Sequence, residues 1–168
     1  LYLAMLLSAA SILPAQEKGA ALGFVSESWT SPTGEKVAFD LFIPYSYTGT
    51  EPYPLILFLH GAGEREGGKN KPVDVGIGPA IRKYGEKEFP FFVLFPRCRA
   101  NRNWMAEGDD AQRALAILDY VQKKYNIDPK RIYLTGLSLG GFGTWSLAAR
   151  YPEKWAAIVP ICGGGDPK

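Results

Sequence analysis

The chain has 168 residues and a formal net charge of +2, which suits one soluble domain. So small a charge, with no basic cluster, excludes nucleic acid as an expected partner. Aromatic residues make up 13% of the chain, and most fall in apolar runs that read as core.

The first fifteen residues, LYLAMLLSAASILPA, carry no charge. The stretch is too short to span a bilayer but suits the apolar region of a signal peptide. Small residues at Ser8, Ala10 and Ala15 offer cleavage points, and charge resumes at Glu17 and Lys18. A buried N-terminal helix is the plainer alternative. The expectation is a secreted or periplasmic protein with no stable membrane span. No Met or basic stretch precedes Leu1, so the chain reads as clipped at its start.

A hairpin comes next. Gly23 to Trp29 reads as a strand, Ser31 to Gly34 as a turn, and Glu35 to Pro44 as a second strand whose Val37, Phe39, Leu41 and Ile43 share one face. The pattern then changes to nearly continuous apolar runs at Leu55 to His60, Phe91 to Phe95, Arg131 to Gly136 and Ala156 to Ile161, the mark of strands buried on both faces. Helical stretches lie between them. One covers about Pro79 to Tyr84. A second runs from about Asp110 to Tyr125, with Ala114, Leu115, Leu118, Val121 and Tyr125 on one face. Asp109 and Gln112 are spaced as a capping box, and Lys123 and Lys124 suit the last turn. A third begins near Leu139 and stops before Pro152. This alternation predicts an α/β domain over residues 20–168: a mostly parallel sheet with helices on both faces and an antiparallel hairpin leading in. Such sheets bind ligands at the carboxyl ends of their strands.

Two of those ends carry chemistry. Gly136-Leu137-Ser138-Leu139-Gly140 matches G-x-S-x-G between a buried strand and a helix, the context in which the pattern marks a nucleophilic serine on a tight turn. Side chains at Gly136 or Gly140 would clash with neighbouring backbone, and the helix N-terminus adds partial positive charge beside a developing oxyanion. His60-Gly61-Ala62-Gly63 follows the first buried strand, where small residues let a backbone amide approach a carbonyl. The amides of Ala62 and Leu139 are the expected oxyanion donors. His60, the one histidine in the sequence, is expected to brace this loop and not to act as base. A serine needs a base, and the order for this motif is Ser, acid, His. Neither partner follows Ser138, although Asp166 is a weak candidate for the acid. Glu64 and Arg65 either hold the mouth of the site through ion pairs or are plain solvated charges. Trp104 is a candidate apolar wall for an acyl or aryl group, with packing as lid or core the alternative. Arg97, Arg99 and Arg102 either favour an anionic or sugar-linked substrate or form a solvated loop.

The stretches LILFLHGAGEREGGKN, FVLFPRC with NW after it, NIDPKRIYLTGLSLGGFGTW and AAIVPICGGGDP together resemble the secreted α/β-hydrolase esterases of the predicted-peptidase and polyhydroxybutyrate-depolymerase-like type. These are related to the phospholipase/carboxylesterase and feruloyl/acetyl-xylan esterase groups. The resemblance spans roughly residues 20–168. It implies Ser138 as nucleophile with Ala62 and Leu139 as oxyanion donors. It also implies a triad completed by an Asp in a later loop and a His near the C-terminus, neither of which is present. The expectation is therefore a truncated α/β-hydrolase lacking its last two strands, inactive alone and exposing the edge where they would dock. Cys98 and Cys162 follow strands that the usual order separates by two others. Three spacings of about 4.8 Å give roughly 14 Å, against the Cα separation of about 6 Å that a disulfide requires. An oxidising compartment argues for pairing and this geometry against it.

The leading expectation is a serine carboxylic-ester hydrolase acting on a small-molecule or polysaccharide-linked ester, with no metal or organic cofactor. The alternatives are a prolyl-oligopeptidase-like serine peptidase and a non-catalytic hydrolase-fold binding module.

Overall fold

The computed structural model describes residues 21–165. The expected signal peptide at residues 1–15 and the candidate acid Asp166 lie outside the described residues.

Six strands form one sheet in the order β1-β2-β4-β3-β5-β6. Their ranges are β1 Gly23–Thr30, β2 Lys36–Ile43, β3 Tyr53–Leu59, β4 Phe92–Phe95, β5 Ile127–Leu137 and β6 Ala157–Ile161. The hairpin β1–β2 is antiparallel and joins β4 antiparallel; β4, β3, β5 and β6 run parallel. Three helices connect the parallel strands: α1 (Ile77–Tyr84), α2 (Asp109–Lys124) and α3 (Leu139–Arg150). All six strands and all three helices overlap the stretches read from the sequence. None of these helices is long and apolar enough to cross a membrane.

The sheet buries both faces. On one, Leu55, Leu57 and Leu59 of β3 and Leu134 of β5 pack with Ala114, Leu118 and Val121 of α2 and Leu147 of α3. On the other, Phe58, Val93 and Phe95 pack with Ile81 of α1. Helices therefore cover both sides, as parallel strands require. The alternating residues Val37, Phe39, Leu41 and Ile43 are all buried. Phe42, on the opposite face of β2, is buried as well, because β2 lies inside the sheet between β1 and β4 and α1 covers that side. At the far edge, Val159 and Ile161 of β6 remain 58% and 42% exposed.

The start of α2 differs from the capping-box expectation. Gly108 is the N-cap and no side chain caps the helix. Asp109 and Asp110 lie inside the first turn, where they still complement the dipole. Arg99 engages the Asp110 carboxylate through both Nε (3.2 Å) and Nη2 (2.9 Å). Gln112 turns its amide to the Tyr151 hydroxyl (3.0 Å) and the Ala106 carbonyl. Burial alone would raise the Asp110 pKa, but the Arg99 hydrogen bonds and charge outweigh it, and the net shift is downward. Arg99 thus ties the loop after β4 to α2 and is not a free solvated charge, and the Arg102 N–H donates to the Arg99 carbonyl (3.2 Å). Both cysteines are free, Cys98 buried and Cys162 exposed; β3 and β5 stand between the strands that precede them.

Candidate active site

Strand β5 ends at Leu137, α3 starts at Leu139, and Ser138 joins them with φ 53 and ψ −111. A non-glycine residue held there is strained by about 1–3 kcal/mol. Two hydrogen bonds hold it: Ser138 N–H donates to the Ile161 carbonyl (2.8 Å), and the Phe142 N–H donates to the Ser138 carbonyl (3.1 Å). The residue is exposed, so the turn presents the hydroxyl to solvent at the carboxyl edge of the sheet. The glycines on either side permit this. A Cβ on Gly136 would lie 2.8 Å from the Leu59 carbonyl oxygen, and one on Gly140 would overlap that same oxygen. Strand β5 and α3 can therefore sit against β3 only if both positions lack a side chain.

The loop after β3 faces this turn. Gly61 comes close enough that a Cβ there would stand 3.9 Å from Ser138 Cβ. The next residues, Ala62 to Glu64, form a single 3-10 turn. Among the described residues, neither the Ala62 N–H nor the Leu139 N–H donates a hydrogen bond. Two unpaired amides beside an exposed serine are the donor set that a developing oxyanion needs.

His60 is fully buried, with both ring nitrogens engaged. Nε2 accepts from the Cys98 N–H (3.0 Å), so the proton resides on Nδ1, which donates to the Gly61 carbonyl (2.6 Å). The Trp104 indole N–H donates to the His60 carbonyl (3.0 Å), and the two rings meet edge to face at 5.1 Å. His60 thus braces the loop and has no nitrogen left for the serine. Burial holds its pKa down to about 4, against a raising contribution from the Gly61 bond. The unfolded chain binds this proton near pH 6.5 and the folded chain only near pH 4. Stability is therefore fully present above pH 6.5 and falls by about 3 kcal/mol between those values. Denaturant unfolding at pH 7.5 and 4.5 will show this loss, and His60→Gln will flatten it.

Trp104 is not the expected apolar wall. It is 1% exposed and packs in the core, because its N–H bond to His60 turns the indole inward. A cleft of about 610 Å³ beside α3 is lined by Met105, Phe142 and Trp145, which carried no role in the sequence reading; Ser138 and Ala62 do not line it. Phe142 and Trp145 follow Ser138 at helical spacing, and that spacing was the available signal. Glu64 and Arg65 form no ion pair among the described residues. Glu64 is not a solvated charge either, since it is only 7% exposed. Arg65 reaches towards the Cys98 thiol, whose pKa burial raises to about 11. Among the described residues, no group of His, Cys, Asp and Glu side chains could hold a metal ion.

Residues 39–150 match the family described as BD-FAE. The match runs from within β2 to the end of α3, and takes in the loop at Ala62 and the turn at Ser138. The chain belongs to the BD-FAE family. Among its relatives is a poly(3-hydroxyalkanoate) depolymerase C of Paucimonas lemoignei, 31% identical over 123 residues, 66% of this chain and 28% of that protein. A bifunctional acetylxylan esterase/xylanase of Neocallimastix patriciarum is 39% identical over 75 residues, 44% of this chain and 11% of that protein. In three dimensions the BD-FAE chain superposes on a thermostable esterase with a TM-score of 0.73 at 36% identity, covering 85% of this chain and 42% of the other. The fold is that of the α/β-hydrolases. The BD-FAE chain spans less than a third of the length of either sequence relative.

Proposed function

We propose that the protein is a serine hydrolase of carboxylic esters. Ser138 Oγ attacks the ester carbonyl, the Ala62 and Leu139 amides hold the oxyanion, and the alcohol leaves. Water then hydrolyses the acyl-enzyme to release the acid. The observation that carries this reading is the exposed, strained Ser138 at the head of α3, facing a loop whose amide is unpaired. Loss of one such donor costs about 3–4 kcal/mol of transition-state stabilisation. The base is assigned to a part of the protein beyond these residues, because the single histidine of the sequence is committed to the oxyanion loop.

The names of the relatives support a polymer-linked ester as substrate: one is a polyester depolymerase and another an acetylxylan esterase. Export is part of the proposal and rests on the uncharged apolar stretch at residues 1–15. The test uses the protein as its gene encodes it. A fluorophosphonate probe is expected to label the wild type and not Ser138→Ala; labelling that survives the substitution removes Ser138 from the mechanism. A panel of acetyl, feruloyl and short-chain aryl esters, run beside peptides, is expected to give turnover on esters alone. Peptide turnover exceeding ester turnover would overturn the ester assignment.

A further inference from the structure

The loop between β4 and α2 touches both sides of the site at once. On one side it engages His60 twice: the Cys98 N–H donates to Nε2 and the Trp104 indole N–H donates to the carbonyl, each at 3.0 Å. His60 passes that constraint on. Its Nδ1 donates to the Gly61 carbonyl (2.6 Å), and that carbonyl belongs to the same peptide unit as the Ala62 N–H. A shift of His60 therefore re-aims the Ala62 donor. On the other side Trp104 packs against Gly143 of α3, where an added Cβ would overlap the Trp104 Cβ and stand 3.0 Å from its carbonyl oxygen. Gly143 lies about one helical turn beyond Leu139, whose amide is the second unpaired donor. The Ala106 N–H makes a further tie to Ser146 Oγ of α3 (2.9 Å). Trp104 and Ala106 are each 1% exposed, so close packing holds both ties in place.

We propose that the loop after β4 sets the geometry of the oxyanion hole, with Trp104 as its positioning residue. One side chain, bonded to the His60 carbonyl and packed on α3, fixes the Ala62 and Leu139 amides relative to each other. The inference rests on the ester-hydrolase reading. Pairing of β3 with β5 sets the separation of the two donors at the sheet, and Trp104 sets it beyond the strand ends. Being buried, Trp104 does not reach substrate; it acts through His60 and α3. Oxyanion donors accelerate a reaction only when they are already aimed at the place where charge develops. A misplacement of about 1 Å costs on the order of 100-fold in rate.

The test uses the protein as its gene encodes it and the variant Trp104→Phe, which keeps a ring against Gly143 and loses the N–H. On a short-chain aryl ester kcat is expected to fall by about 10- to 100-fold, with KM within about twofold of wild type. A matched pair of inhibitors reads the oxyanion hole itself. An alkyl trifluoromethyl ketone accepts Ser138 Oγ at its carbonyl carbon; the serine proton passes to the enzyme's base and the carbonyl oxygen becomes the oxyanion. The corresponding methyl ketone binds without forming that adduct. Trp104→Phe is expected to weaken the trifluoromethyl ketone by about tenfold or more and to leave the methyl ketone unchanged. A variant that merely folds less completely loses kcat and keeps both inhibition constants, and that result overturns the proposal. Ser146→Ala removes only the Ala106 tie and carries the same test if Trp104→Phe does not fold. It is expected to weaken the trifluoromethyl ketone, relative to the methyl ketone, by about threefold; an unchanged ratio overturns the proposal. A wild type that neither hydrolyses esters nor reacts with a fluorophosphonate rejects the ester-hydrolase reading. A wild type that does both, with unchanged inhibitor ratios in the variants, rejects the role of the loop alone.

Discussion

Ser138→Ala is expected to lower kcat for ester hydrolysis by on the order of 10⁶-fold, with KM little changed. The substitution removes the atom that forms the acyl-enzyme and leaves the oxyanion amides and the surrounding backbone in place. Steady-state kinetics on a short-chain aryl ester will measure it, and residual turnover within about tenfold of wild type would reject covalent catalysis by this residue. A companion variant isolates the strain. Alanine keeps the positive φ of 53 and is expected to leave stability unchanged. Ser138→Gly relaxes the turn and is expected to gain about 1 kcal/mol while losing the same activity. Denaturant unfolding of the two variants side by side will separate the cost of the backbone geometry from the chemistry of the hydroxyl.

Gly140→Ala is expected to destabilise the fold by about 3 kcal/mol or more, a fall in Tm of roughly 10 °C. Its Cβ would overlap the Leu59 carbonyl oxygen, a backbone atom at the carboxyl end of an interior strand that no rotamer change can move aside. Relief requires α3 to shift away from β3, carrying the Leu139 amide with it, so activity should fall even in the molecules that remain folded. Thermal unfolding and kcat on the same preparation will check both effects. An alanine variant with wild-type Tm would reject the requirement for glycine at this α3–β3 contact.

Much of this site was legible in the sequence because its constraints are local. The glycines flanking Ser138 and the small residues after His60 are demanded by contacts within one turn, and the residue types alone betray them. The helical face from Ala114 to Tyr125 was legible for the same reason, since a period of 3.6 is written along the chain. Other residues could not be read this way, because distant partners decide their roles. Trp104 reads equally as an apolar wall of the site or as packed lid or core, and a carbonyl 44 positions earlier draws it inward. Gln112 has the spacing of a capping residue, but its amide finds Tyr151 39 positions later. Arg99 belongs to a basic run on paper and to a buried acid in space.

The sequence by itself determined the order of strands and helices along the chain, the tight turn at Ser138 and the small-residue loop opposite it. Backbone sterics and hydrophobic periodicity act between near neighbours, so residue type records them directly. Only the tertiary structure decided that Phe42 is core, which groups engage the two His60 nitrogens, that Trp104 packs inward against the loop, and that Glu64 is buried. Each of these depends on which distant surfaces are brought together, and burial and hydrogen bonding between such surfaces leave no periodic trace in the chain.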